Sequence, residues 1–156
     1  AYDFYGVFTV QEEVGLRGAQ ASTLEIQPDF SFGLDTTIAF DTPGAKPQEQ
    51  CTRLGEGVAI KIMDSSVICD QRMVEFMKTV ADEKKIEWQP EILRAGGTDT
   101  ASLQRMTPGG SIAGAVSLPT RHIHQVIEMC NKHDVAEAIK LLAACLCGLD
   151  KYDWEF

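Results

Sequence analysis

Two stripes of apolar residues at helical spacing, and five short apolar runs, set out the elements of this chain. From Asp70 to Glu83 the residues Met73, Phe76, Met77 and Val80 fall at i, i+3, i+4 and i+7, one face of an amphipathic helix. Val135, Ala138, Ile139, Leu142 and Leu146 repeat likewise, and Asp134 with Glu137 three residues on predicts a capping box where that helix starts. The short runs are too brief for helices. Phe4 to Val10, rich in β-branched and aromatic residues, reads as a buried strand. Phe30 to Phe40 reads as a second, stopped by the turn signal Asp41-Thr42-Pro43-Gly44, and Val58 to Met63 as a third. Trp88 to Leu93 and Ile112 to Leu118 complete the set, the last ended by Pro119. Short helices are expected over Leu16 to Leu24 and from Gly96-Gly97 to Met106, while Gly44 to Gly57 reads as an irregular loop.

Strands alternating with helices predict an α/β domain with a mostly parallel central sheet flanked by helices. The strand order does not follow from the pattern. In such sheets chemistry gathers beyond the carboxyl ends of the strands. Four polar clusters fall at or near those places: Glu12/Glu13, Asp35, Gly96 to Asp99, and His122/His124.

A length of 156 residues suits one domain, which buries roughly 70% of its unfolded surface. Fourteen Lys and Arg against 23 Asp and Glu leave a net charge of −9, which repels phosphate backbones and anionic membranes. Nucleic acid and acidic lipid are therefore excluded as expected partners. No apolar run approaches the roughly 20 residues of a membrane span, and no basic segment with an apolar core opens the chain. Five cysteines without metal or disulfide spacing (Cys51, Cys69, Cys130, Cys145, Cys147) read as reduced thiols in a cytoplasmic protein. A start at Ala1, just ahead of an apolar run, suggests a segment of a longer polypeptide.

Each cluster has a functional and a bland reading. Glu12 and Glu13 repel unless a cation or proton separates them; they form either a solvated pair, or a metal ligand with a neighbour that holds a water beside it. Asp35 lies among Phe32, Leu34, Ile38 and Ala39, where a bare charge costs several kcal/mol, so it needs a metal, a cationic partner or a set of donors. His122 and His124 have the spacing to chelate zinc, but also suit surface or hydrogen-bonded imidazoles, and His133 reads as solvent-facing. Gly96-Gly97-Thr98-Asp99 is either a loop facing an anion or amine, or a tight turn with Thr98 as N-cap.

Taken together, these segments resemble a known family. Thr9-Val10-Gln11-Glu12-Glu13-Val14-Gly15-Leu16-Arg17-Gly18-Ala19 strongly resembles the catalytic Glu-Glu segment of the M42 metallo-aminopeptidases, also called glutamyl aminopeptidases or, in older usage, cellulases or endoglucanases. The likeness continues, in family order, through Asp35-Thr36-Thr37-Ile38-Ala39, Leu54-Gly55-Glu56-Gly57, Ile60-Lys61-Ile62-Met63-Asp64, Gly96-Gly97-Thr98-Asp99 and Pro119-Thr120-Arg121-His122-Ile123-His124.

The resemblance implies a zinc-exopeptidase-like catalytic domain, here its carboxyl-terminal portion. It makes Glu12 the general base, Glu13 and His124 ligands of one metal ion, and Asp35 a ligand of a second. His122 falls where the family tends to carry an aromatic and is not assigned as a ligand. The implied cofactors are two divalent ions, zinc or cobalt, and the implied substrates are peptides, cleaved in a homo-oligomer. The family's upstream His-x-Asp, a later bridging Asp and its dimerisation domain have no match here. The chain by itself is therefore expected to bind zinc weakly and to show no turnover. Two rival readings remain: a metal-independent glycoside hydrolase using Glu12 and Asp35, and a truncated homologue that binds without catalysing.

Overall fold

The computed structural model describes residues 2–155. Its five-stranded sheet runs in the order β1 (Phe30–Ile38), β4 (Ile112–Arg121), β2 (Val58–Met63), β3 (Trp88–Ile92), with the short β5 (Met129–Cys130) paired to β4. The β1–β4 and β2–β3 pairs are parallel and hold most of the ladder. The β2–β4 and β4–β5 pairs are short and antiparallel. The helices are α1 (Arg17–Ile26), α2 (Gln71–Lys84), α3 (Thr100–Arg105) and α4 (Lys132–Leu146). The expected α/β architecture is thus observed, around a sheet whose central pair runs antiparallel.

Side chains alternate along a strand, and register partners share a face. Leu34 pairs with Val116 and Val116 with Ile60, giving one apolar face. Helix α2 covers its β4 and β2 part, so closely that a Cβ at Gly114 would lie 2.6 Å from Met73 Cγ, and leaves Leu34 on β1 exposed. Helix α4 packs beside α2, and the stripe expected from Met73 to Val80 is buried there. The opposite face carries Asp35, its partner Ser117, and across β2 and β3 the pair Lys61 and Glu91. Helix α3 closes this face. A Cβ at Gly33 would sit 2.0 Å from Thr100 Oγ1, so only glycine admits that approach.

That second face holds a buried ion network. Lys61 Nζ lies 2.8 Å from Glu91 Oε1 and 3.0 Å from Asp64 Oδ2, with all three side chains out of reach of solvent. Thr37 donates to Glu91 at 2.7 Å, and Ser66 donates to Asp64 at 2.7 Å. Burial alone would lower the Lys61 pKa, but the two carboxylates outweigh it and hold the ammonium above its ordinary value. Burial likewise pushes Asp64 up. Its bonds from Ser66 and Lys61 more than reverse this.

Four local expectations change. The run from Phe4 to Val10 pairs with no strand, and Phe8 is fully exposed. An apolar run becomes a strand only where an edge and a covering face take it up, and no described edge does so. β4 continues through Pro119 to Arg121. There the missing N–H costs nothing across β4, because β2 pairing ends at Ser117 and β5 pairing begins at Thr120. Helix α4 starts earlier than the Asp134–Glu137 box, with Asn131 as N-cap accepting from the His133 N–H. The Asp134 carboxylate instead takes the N–H groups of Gly55 and Gly57 at 2.8 and 3.0 Å. Finally, Asp99 rather than Thr98 precedes α3, and the Thr98 hydroxyl turns inward to Asp64.

Candidate metal centre

Glu12 and Glu13 open a single 3-10 turn, Glu12–Val14, between two residues in left-handed backbone, Gln11 at φ 59° and Gly15 at φ 115°. A non-glycine residue held there stores local strain, which surrounding bonds must offset. They do so by closing the segment on itself. Leu16 N–H reaches Glu12 O at 2.9 Å, and Gly18 N–H reaches Val10 O at 2.9 Å. A Cβ at Gly18 would lie 2.4 Å from Val10 N, so α1 begins against its own approach segment. The turn leaves Glu12 half-buried and Glu13 exposed.

His124 comes from a turn after β4, also in left-handed backbone, at φ 62°. Its N–H donates to the Glu128 carboxylate. The arm that brings it here is anchored by the two-toothed pair of Arg121 with Asp41, whose second oxygen lies 2.9 Å from Arg121 Nη2. That guanidinium, bonded to Asp41, holds its carboxyl below the usual value. The consequence is a contact between residues far apart in sequence: His124 Nε2 stands 3.2 Å from Glu13 Oε1. Both side chains are largely exposed, so as a bare ion pair they would contribute little.

Asp35 sits half-buried on the polar sheet face and accepts the Thr36 N–H at 2.7 Å. Burial raises its pKa most, opposed by that bond and by Lys61 and reinforced by the charges of Asp99 and Glu13. Glu12 is raised too, first by burial, then by Asp35, Asp99 and Glu13. The charges of Asp35, Asp99 and Glu13 therefore press on Glu12. Such a site asks for cations.

The donor chemistry fits a divalent ion at one position. An imidazole nitrogen and a carboxylate oxygen 3.2 Å apart match two neighbouring corners of a tetrahedron with bonds of about 2.0–2.1 Å. Glu13 and His124 would supply that pair. Among the described residues no three His, Cys, Asp or Glu side chains cluster tightly enough to hold an ion by themselves, so Asp35 stands as a donor apart from the pair.

The other histidines lie elsewhere. His122 lines a shallow apolar cleft with Ile38, Phe40 and Ile123, and His133 pairs with Glu87 at 2.9 Å. The five cysteines are unpaired, and burial pushes the Cys69 and Cys145 thiols up to about 12. No described helix is long and apolar enough to cross a membrane.

Three participants escaped the sequence reading. Lys61 interrupts an apolar strand, a signal that a buried charge needs partners. Asp99 belongs to the stretch Gly96-Gly97-Thr98-Asp99, which the sequence offers as a loop facing an anion or amine or as a tight turn, with no role for the carboxylate itself. Its Oδ2 accepts from Thr9 Oγ1 at 2.6 Å, and its Oδ1 is buried without a partner among the described residues. Thr9 carried no signal of its own.

The family described as M42 glutamyl aminopeptidase matches residues 1–141. An Acetivibrio thermocellus protein bearing an aminopeptidase name is 42% identical over 93% of this chain and 43% of its own length. The solved aminopeptidase of the archaeon Desulfurococcus kamchatkensis superposes with a TM-score of 0.85 at 39% identity, over 87% of this chain and 38% of that one. The Pyrococcus horikoshii TET1 peptidase, described as assembling into a tetrahedron or a large octahedral shell, gives 0.75 at 30% identity over 88% and 38%. The chain thus spans about two fifths of the length of these relatives. With the Glu-Glu turn, the polar sheet face and the histidine arm all matched within one family's span, the chain belongs to the M42 glutamyl aminopeptidase family.

Proposed function

We propose that this chain is part of a dinuclear metallo-aminopeptidase that removes single residues from peptide N-termini. The observation that carries the reading is the Glu13–His124 contact at 3.2 Å, beside a half-buried Glu12. Glu13 and His124 hold one divalent ion, zinc or cobalt, and Asp35 holds the second. Bound ions supply Lewis acidity toward the scissile carbonyl and make water easier to deprotonate.

The chain's own residues do the rest. Glu12, one position before a ligand yet pointing into a different environment, takes a proton from the attacking water and returns it to the leaving amine. Its raised pKa suits both halves of that shuttle. The remaining donors, the family's upstream His-x-Asp and bridging Asp, and its dimerisation domain come from outside this sequence. The assembly is a homo-oligomer, and the compartment is cytoplasmic, consistent with free thiols.

The test is metal analysis of the polypeptide carrying this chain, with hydrolysis of amino-acid p-nitroanilides before and after EDTA. We expect chelation to abolish hydrolysis and zinc or cobalt to restore it. Anilide cleavage that survives EDTA needs no metal and overturns this reading. A metal-free, inactive whole polypeptide favours a binding domain.

A further inference from the structure

Residues 2–8 and Val10 are exposed and paired with no strand, yet they lead directly into the turn bearing Glu12 and Glu13. Something must fix that approach. Among residues 2–10 only Thr9 is withdrawn from solvent, and it is the residue whose hydroxyl donates to Asp99 Oδ2 at 2.6 Å. One residue on, Val10 O accepts from Gly18 N–H at 2.9 Å. The two bonds hold the approach to the turn at two places, one to the residue that precedes α3 and one to α1.

Asp99 is itself held by a rigid base. Its neighbour Thr98 is buried and donates to Asp64 Oδ2 at 3.3 Å. Asp64 is locked by Lys61 at 3.0 Å and by the N–H groups of Ser66 and Val67 at 2.8 and 3.0 Å. On its other side Thr100 presses on β1 at Gly33, two residues before Asp35. Asp99 therefore keeps a fixed place relative to both Asp35 and the Lys61 network. A group held this way transmits position rather than mobility.

We propose that Asp99 and Thr9 are positioning residues, which tie the Glu12–Glu13 turn to the sheet that carries Asp35. The inference rests on the aminopeptidase reading for its kinetic consequence, but not for its structural one. Without the tie the turn keeps its bonds to α1 and the exposed Glu13–His124 contact but loses its link to the base that fixes Asp35, and Glu12 drifts from the place where a proton must be taken. A displacement of about 1 Å costs on the order of 100-fold in such a reaction.

Thr9→Val removes the hydroxyl at nearly constant shape, and Thr9→Ser keeps it. In the present chain, amide hydrogen exchange over residues 10–18 should speed up about tenfold in Thr9→Val and return in Thr9→Ser. In the whole polypeptide, Thr9→Val should lower kcat about 100-fold with KM and metal content nearly unchanged, and Thr9→Ser should recover it. In amide exchange Asp99→Ala should match Thr9→Val, and the double variant should be no worse than either, as for two halves of one contact. Asp99→Ala also carries the test should Thr9→Val fail to fold.

Unchanged exchange, unchanged kcat, or a Thr9→Ser variant as poor as Thr9→Val overturns the tie and leaves the aminopeptidase reading standing. Altered exchange with EDTA-resistant activity, or with none in the wild type, overturns that reading and leaves the tie.

Discussion

Glu12 and Glu13 are neighbours in the chain but not in surroundings. Glu12 is half-buried and pressed by Asp35 and Asp99, while Glu13 is exposed and meets His124 at 3.2 Å. Glu12→Gln should therefore keep the metal content of the whole polypeptide and lower kcat by about 100-fold or more. Glu13→Ala should lose metal from one position. Equal metal loss in both variants, read by plasma mass spectrometry, would remove the division between base and ligand. Asp41 gives a pH prediction. Its folded pKa lies below the ordinary 3.8, first because Arg121 bonds to it. A depressed carboxyl stabilises the fold above the unfolded value and ceases to as pH falls through the folded one. Thermal stability should thus fall below pH 3.8, and Asp41→Asn should flatten that slope at a cost of about 1–3 kcal/mol near neutrality. These roles were partly legible in the sequence. Paired carboxylates after an apolar run and a histidine at the far end of another marked the candidate site, whereas the bond between Thr9 and Asp99 appears only in the folded chain.

Elements behaved according to whether their stability is local. Helix α2 matched its stripe because an apolar face at 3.6-residue spacing needs only some sheet to cover it. The Asp134–Glu137 pattern was misleading for the opposite reason. Its carboxylates are recruited by a distant loop and by Glu87 N–H, which no local spacing announces. Asp134→Asn should lose the charged half of two buried bonds, costing about 1.5–3 kcal/mol in denaturant unfolding. Strand β2 carries a sharper case. Lys61→Met would leave Asp64 and Glu91 buried without their cation. Removing one partner of such a group typically costs about 3–5 kcal/mol. A variant as stable as the parent would show that the network is not ionised as drawn.

For the whole molecule, the surface and the span point the same way. Phe8, Leu34 and Ile139 are strongly exposed, and the chain covers about two fifths of its relatives' length. The open groove of about 170 Å³ beside Leu34, Ile139 and Leu142 extends that apolar surface. Uncovered faces of this kind associate. Sedimentation of the isolated chain should therefore show concentration-dependent species above its 17.1 kDa monomer. Zinc titration should show weak binding, and p-nitroanilide hydrolysis should be absent from the chain alone. Strong turnover by these 156 residues would mean that the donors assigned elsewhere are not needed.

Sequence alone determined the features that depend on near neighbours and on residue chemistry. These are the helical stripes, the short apolar runs, the carboxylates and imidazole suited to divalent ions, and the family pattern that orders them. Only the tertiary structure decided which apolar run found a partner strand, that the central pair runs antiparallel, and that one sheet face is polar and ionic. It alone brought His124 to Glu13 and Thr9 to Asp99. Local order follows from periodicity and propensity, whereas a strand's pairing or a buried charge's partner depends on free energy shared with residues far along the chain.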